Sequence, residues 1–197
     1  MAIALPTCPL PNIMQPFLRD FGGILSPFLG GPEQRINRIG TRLGCRYTMP
    51  EMDDADAQKF VSRLMRGKQD RVIMPWPITA FDPGTPPNPQ INASSTGSAL
   101  SVKGLGAGYT LVEGQPLSVV HGGRRYMHLS TGQVVANGSG IAAVGIFPPT
   151  RATYAVNDTV EIAMPMIEGY VSPGDEVNWT IALELDTAIA FSVVESA

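Results

Sequence analysis

The clearest periodic pattern in the chain lies within EMDDADAQKFVSRLMRGK, residues 51–68. Its apolar positions recur every three or four residues and therefore share one helical face: Ala57, Phe60, Val61, Leu64 and Met65. Asp53 is a suitable N-cap, and acidic residues in the first turn and basic residues in the last complement the helix dipole. Gly67 is a suitable stop. The pattern predicts one helix, from about residue 53 to residue 66, packed against an apolar surface.

The rest of the chain has the short apolar runs and frequent turn residues of β-structure. In residues 34–50, arginines alternate with apolar side chains, and Gly40 and Gly44 interrupt the alternation as β-bulges would. Residues 81–98 are rich in Pro, Gly, Ser and Asn, which is typical of a linker or a domain boundary. From about residue 99 onward, Gly-rich turns separate short strands. Alternation over residues 179–193 predicts a final, half-buried strand.

Composition agrees with a mainly β fold. The chain has 197 residues, of which 44% are apolar, and this is enough to fill a core. Only 16% of the residues are charged, against about 25% in a typical soluble domain, while 21 glycines and 18 prolines are typical of a turn-rich β protein. So few charges favour a chain that buries surface in an assembly.

Charge and cysteine content exclude several classes of function. Residues 1–75 carry a net charge of +3 and residues 76–197 a net charge of −6, which is too mild for a nucleic-acid-binding surface. Cys8 and Cys45 are too few for a disulfide scaffold or a zinc site, and they fit a reducing, cytosolic folding environment. No window approaches the roughly 18 apolar residues of a membrane span, so no membrane anchor is expected.

Both histidines lie in SVVHGGRRYMHLS, residues 118–130. The pattern predicts two strands joined by a Gly-Gly turn, with Tyr126 and His128 on one face of the second strand. Histidine catalysis needs a nucleophile and an orienting carboxylate, yet no acidic residue occurs between Glu113 and Asp158. Two histidines are also too few for a catalytic zinc site. The stretch therefore predicts a solvated hairpin without catalytic, metal-binding or cofactor-binding residues.

Two other patterns are weak signals of chemistry. GLGAGYT, residues 104–110, contains three spaced glycines, but a dinucleotide-binding loop must open a helix, and here a strand follows. Four carboxylates could supply a pair for glycoside hydrolysis: Glu161, Glu168, Glu184 and Asp186. Their alternating strand positions instead predict the solvent-exposed face of a sheet. We expect no cofactor and no enzymatic activity.

Residues 17–34, FLRDFGGILSPFLGGPEQ, combine many apolar side chains with four glycines and no helical period. Two interpretations stay open. The segment could form core strands joined by a Gly turn, or an apolar arm that packs on a neighbouring subunit. The candidate interface residues of such an arm are Ile24, Leu25, Phe28 and Leu29. Arg35, Arg38 and Arg42 follow, either as a solvated strand face or as the charged rim of an interface.

The order of these segments resembles a known family. SPFLGG (26–31) leads through RIGTRLGCRYTMPEM (38–52) and the predicted helix into MPWP (74–77). GSALSVKGL (97–105) and the long stretch from LVEGQPLSVVHGG to GIFPP (111–149) follow, and then MPMIEGYV (164–171). This succession is similar to tail-tip proteins of long-tailed bacteriophages, in particular the distal tail protein that joins the tail tube to the baseplate.

The resemblance implies a tail-tube-like β-sandwich flanked by one α-helix, with an inserted or appended small β-barrel or β-sandwich module. Residues 1–85 plus 167–197 would form the ring domain, and residues 88–166 the inserted module. The implied partners are further copies of this chain, six in a ring, together with the tail tube protein and the tail hub or baseplate proteins. DNA would pass through the channel without sequence-specific binding. The implied location is the virion tail tip, after assembly in the bacterial host cytoplasm.

Three alternatives stay open beside this structural role. The inserted module could recognise host-surface carbohydrate, with Tyr109, Tyr126 and His128 as candidate glycan contacts. The chain could also be another minor tail or virion structural protein. A wall-degrading hydrolase would need a carboxylate pair or a metal-ligand set, which carboxylates distant in sequence could still form in the fold.

Overall fold

The computed structural model describes residues 2–5, 9–36, 38, 40–78, 82–172 and 189–196. The strands before residue 80 are β1 (Ile3–Ala4), β2 (Ile13–Arg19), β3 (Gly23–Leu25), β4 (Gln34–Ile36), β5 (Arg42–Thr48) and β6 (Val72–Pro75). The next strands are β7 (Gln90–Ile91), β8 (Ala99–Lys103), β9 (Thr110–Leu111), β10 (Pro116–His121), β11 (Arg124–Ser130), β12 (Val134–Val135), β13 (Ala142–Phe147) and β14 (Thr159–Glu161). The last strands are β15 (Met166–Val171) and β16 (Ala190–Glu195). One helix, α1 (Asp54–Arg66), lies between β5 and β6 in the described part of the chain.

Helix α1 forms where the periodicity predicts it. Asp53 occupies the N-cap position, although its side chain makes no capping hydrogen bond, and Gly67 is the C-cap residue. Its buried side chains are four of the five predicted ones: Ala57, Phe60, Val61 and Leu64. Met65 is exposed instead, at the border of the apolar face. Gly67 is required by packing, because a Cβ atom there would lie 2.4 Å from a Val72 methyl carbon and 2.8 Å from one of Val171.

The helix packs on a six-stranded sheet of order β1-β6-β15-β16-β5-β2. All neighbouring pairs are antiparallel except β1 and β6. The rings of Phe60 and Phe191 lie 5.8 Å apart, and Tyr47 stacks on Phe191 at 5.4 Å. The buried Tyr47 hydroxyl donates a hydrogen bond to the Pro75 carbonyl oxygen at 2.8 Å, which joins two strands of the sheet.

The remaining large element is a closed six-stranded barrel of order β10-β11-β13-β8-β7-β14. Its interior is mainly apolar, and its largest fully buried side chains include Ile91, Leu117 and Tyr154. The predicted Gly-Gly hairpin is present, because His121 pairs with Arg124 across the turn between β10 and β11. The spaced glycines at 104, 106 and 108 all have positive φ and serve turns, and not a nucleotide-binding helix. The prediction of a mainly β fold with one helix is confirmed for the described residues.

The predicted bulge at Gly44 and the predicted strand at 179–193 do not fully coincide with the described strands. Gly44 does not form a bulge, since β5 pairs with β2 and β16 in continuous register through it. It instead makes room for Phe17 on the partner strand, whose ring would lie 2.4 Å from a Cβ atom at residue 44. The predicted strand at 179–193 lies mostly outside the described residues, although β16 overlaps its end. Cys8, Glu184 and Asp186 also lie outside them.

The close approach of β15 and β16 generates a prediction at Gly169. A Cβ atom at this position would lie 1.9 Å from the Val194 carbonyl oxygen, and backbone cannot move aside as a flexible side chain can. We expect Gly169→Ala to lower the free energy of unfolding by about 3 kcal/mol or more. Gly138→Ala is the control, because a Cβ atom there meets nothing within 4 Å. Urea denaturation that finds both variants equally stable would contradict this account of the sheet.

Candidate functional site

The segment between β2 and β5 projects an apolar hairpin, which we call the arm (residues 20–36). Strands β3 and β4 pair with each other in a two-stranded sheet of their own. The exposed fractions of its apolar side chains are high: Ile24 63%, Leu25 56%, Phe28 103% and Leu29 94%. These four candidate interface residues are therefore not part of the core of their own subunit, and the first of the two interpretations does not hold for them.

The base of the arm is held in place by polar contacts. Asp20 accepts hydrogen bonds from the Gly22 backbone N–H and the Thr41 hydroxyl, both at 2.8 Å. These bonds, with the nearby guanidinium of Arg35, lower the pKa of Asp20. Arg42 lies over the Phe21 ring at 5.3 Å and donates a hydrogen bond to the Gly40 carbonyl oxygen. The arm is thus anchored at its base while its tip is exposed.

The three predicted rim arginines do not share one environment. Arg35 forms an exposed ion pair with Asp20 at 3.6 Å, and Arg38 is exposed as well. Arg42 is half-buried at the base of the arm. Arg35 and Arg38 therefore lie on the surface, whereas Arg42 supports the base of the arm.

Strand β2 lies at one edge of the six-stranded sheet and is exposed along most of its length. Ile13 and Leu18 are both largely exposed on it. It pairs with β5 over seven residues, and Pro16 in its middle is tolerated because an edge strand needs only one row of ladder bonds. A long exposed edge strand is a surface on which another chain can pair.

Both histidines have specific hydrogen-bond partners, which a solvated hairpin would not provide. The expectation is wrong for His128, which is fully buried inside the barrel. Because a carbonyl oxygen only accepts, His128 Nδ1 donates to the Pro148 oxygen at 2.7 Å, and Nε2 accepts from the Tyr154 hydroxyl at 2.7 Å. Burial lowers the pKa of His128 to about 4, so the ring is neutral at pH 7.

The fold supplies His121 with a carboxylate that the sequence spacing did not indicate. Its Nδ1 lies 2.7 Å from Asp158 Oδ2, although 37 residues separate the two in sequence. The same oxygen accepts a hydrogen bond from the Ala155 backbone N–H. The pair therefore ties the end of β10 to the turn before β14, which is a structural role.

The expectation of a solvent-exposed sheet face is wrong for Glu168, which is buried, and Glu161 is half-buried. Glu168 is 1% exposed and Glu195 1% exposed, both on the sheet where it meets the barrel. Glu168 pairs with Arg71 at 2.9 Å, while Arg125 bridges to Glu161 at 3.0 Å. We call these carboxylates and their arginine partners the junction cluster; its members are Arg71, Arg125, Arg151, Glu161, Glu168 and Glu195.

The junction cluster also binds the backbone of β11. The Arg125 N–H donates to Glu168 Oε2 at 3.1 Å, and the Met127 N–H donates to Glu195 Oε1 at 2.8 Å. The Arg151 guanidinium contacts Glu195 and lies 5.6 Å from the Tyr126 ring centroid. Sheet and barrel are therefore joined by charge-assisted hydrogen bonds in a buried layer.

The candidate glycan contacts are not brought together on a surface. Tyr126 and His128 point into the barrel, where both contact Tyr154. The Tyr109 hydroxyl donates to the Pro83 carbonyl oxygen and receives a hydrogen bond from Gln115. These side chains are engaged in internal packing and leave no shared exposed face.

Comparisons with protein families and with curated proteins found no match: no protein-family model matches the chain, and no curated protein matches it significantly. Among the described residues, no group of three or more His, Cys, Asp or Glu side chains is arranged to hold a metal ion. Nor does any helix in that part of the chain have the length and apolarity to cross a membrane.

The junction cluster generates a prediction about pH. Burial raises the pKa of Glu195 from 4.5 to about 7, against the opposing charge of Arg151. Between these two values the folded state holds a proton that the unfolded state has lost, so this carboxyl contributes stability that is lost as pH rises toward 7. Glu195→Gln removes the titration and keeps an acceptor for Met127. We expect the stability difference, wild type minus variant, to fall by on the order of 2 kcal/mol between pH 4.5 and 7.5.

The measurement is urea denaturation of both proteins across that range of pH. Because other groups titrate identically in the two proteins, their contributions cancel in the difference. A difference that is constant with pH would show that folding does not raise the pKa of Glu195, and one that increases with pH would show that folding lowers it.

Proposed function

We propose that this protein is a structural component of a phage tail tip, forming a ring that joins the tail tube to the baseplate or receptor-binding apparatus around the DNA channel. The observation that carries the proposal is the arm. An anchored hairpin whose tip exposes Phe28 and Leu29 almost completely has a surface suited to contact with another subunit. Large exposed apolar patches on a folded chain mark such sites.

The sheet supports the same proposal. The exposed edge strand β2 adjoins the arm directly, so that backbone pairing and apolar packing would act at one interface. In this proposal, residues 1–85 plus 167–197 form the ring domain, related to the tail-tube β-sandwich, and residues 88–166 form the module outside it. Ring closure reinforces each small contact, because every subunit is held on two sides.

The proposed assembly is a homohexamer that contacts the tail tube protein on one side and hub or baseplate proteins on the other. Its role is geometric and involves no catalysis. DNA passes through without base-specific contacts, in agreement with the low charge of the chain. Assembly takes place in the host cytoplasm, and the finished ring resides in the virion.

Native mass spectrometry of the full chain, followed by cryo-microscopy, tests the proposal directly. We expect a closed ring, or a ring formed when tail tube protein is added. A monomer that persists at high concentration, with and without tail tube protein, would refute it.

The arm generates a prediction that separates an interface from a core. Phe28→Ala should leave the subunit as stable as wild type, because the side chain is fully exposed, yet weaken ring assembly by about 2 kcal/mol or more per contact. Phe60→Ala is the matched control: this ring, on the buried face of α1, is 1% exposed, and its truncation should cost roughly 3–5 kcal/mol of folding stability. Thermal melts and sedimentation profiles measure both effects. A Phe28→Ala protein that assembles normally would contradict the role of the arm.

A further inference from the structure

A second apolar surface lies open elsewhere on the ring-forming part of the chain. It is a groove with a volume of about 310 Å³, and we call it the methionine groove. Every described residue that lines it is apolar, including Leu5, Leu10, Met49, Met74, Met164 and Met166. Leu10 is 68% exposed and Met164 62% exposed, so the groove is open at its rim.

The groove has the size and chemistry to accept the tip of an arm. Its volume falls at the small end of the range of sites that enclose compact ligands, about 300–1,000 Å³, and two adjacent side chains such as Phe28 and Leu29 are compact. Methionine side chains are flexible and polarizable, and they adapt to aromatic rings with favourable sulfur contacts. Phe28 would bury roughly 150–250 Å² on entering such a site.

The arm and the groove occupy different places on the subunit. Leu10 and Pro11 line the groove just before β2 begins at Ile13, whereas the arm follows the last residue of β2, Arg19. A seven-residue strand spans about 20 Å from its first to its last residue. Two complementary patches at separate positions on one chain form a head-to-tail contact between copies, and such contacts can close into a ring.

The chain segments that contain or adjoin the two surfaces have opposite net charges. Residues 19–42, which include the arm, contain four arginines and two carboxylates, and Arg35 and Arg38 are exposed there. The stretch 49–56 begins at Met49 in the groove and contains four carboxylates, one of which, Asp56, pairs with Lys59 at 3.0 Å. Arg63 donates a hydrogen bond to the carbonyl oxygen of Ala4 in the groove wall, so the acidic excess at this end comes from the other three carboxylates. An arm seated in the groove would bring the basic flank toward the acidic stretch, which favours one orientation of docking.

The area of the contact explains why a ring is needed. The exposed apolar surface of one arm is on the order of 500 Å², less than the roughly 800 Å² per partner that a stable pair buries. A single arm-in-groove contact is therefore too small for a stable dimer. Repeated around a closed ring, each subunit would donate one arm and receive another.

We propose that the methionine groove is the receptor for the arm tip of a neighbouring copy of this chain, with Phe28 and Leu29 seated against Met164 and Leu10. This proposal rests on the proposed ring and names the two surfaces that build it.

Disulfide trapping between two differently labelled copies tests the contact. One full-length copy carries Leu29→Cys and the other Met164→Cys, both with Cys8→Ser to remove a competing thiol. The two are mixed, mildly oxidised and analysed without reductant. In the control mixture, the second copy carries Val156→Cys and retains Met164. Val156 is exposed and lies in the turn before β14 of the barrel.

We expect a heterodimer from the Leu29→Cys and Met164→Cys mixture at least tenfold more abundant than from the control mixture. A single chain carrying both cysteines should give a ladder up to the ring size. Rings seen by native mass spectrometry without this crosslink would overturn the groove assignment and leave the proposed function intact. The absence of any ring, with no crosslink, would overturn both.

Discussion

The backbone of β11 between Arg125 and Met127 constrains how the whole chain is arranged. Among the described residues, β13 pairs with β11 only at Leu129 and Ser130. The backbone N–H groups of Arg125 and Met127 point away from β10, and no neighbouring strand lies on that side to accept their hydrogen bonds. A buried N–H needs an acceptor. Glu168 and Glu195 on the sheet provide the acceptors, which means that the barrel completes its hydrogen bonding only when it sits on the sheet.

This arrangement buries charge, and buried charge requires partners. Glu168 depends on Arg71 from the sheet and on Arg125 from the barrel, while Glu195 depends on Arg151. Apolar residues of similar volume would often be as stable, so the junction cluster is better explained by the unique orientation that it enforces than by net stabilisation. On either side of it, Tyr126 packs in the barrel core and Met127 in the sheet core, which makes β11 a strand with two buried faces.

Local signals made part of this fold predictable. Helix α1 follows from its apolar periodicity, and the hairpin at 121–124 follows from its turn glycines, which are signals that lie within a few positions of one another. The junction cluster was not predictable in this way. Glu168 alternates like an exposed strand residue, and its burial depends on Arg125, 43 residues away. Likewise, His121 finds Asp158 only after the barrel closes. Pairing of this kind is a property of the tertiary fold.

The arm differs from the junction cluster in that its tip is exposed, whereas the carboxylates Glu168 and Glu195 are buried. A rigid junction fixes sheet and barrel as a unit, and the polar contacts of Asp20 fix the base of the arm on that unit. The apolar tip then has a defined direction, although it packs on no core of its own. Presenting large side chains from a preformed hairpin reduces the ordering entropy that association must offset. A chain with only 16% charged residues gains most from such a surface when a symmetric assembly covers it, because each copy then hides the exposed apolar area of another.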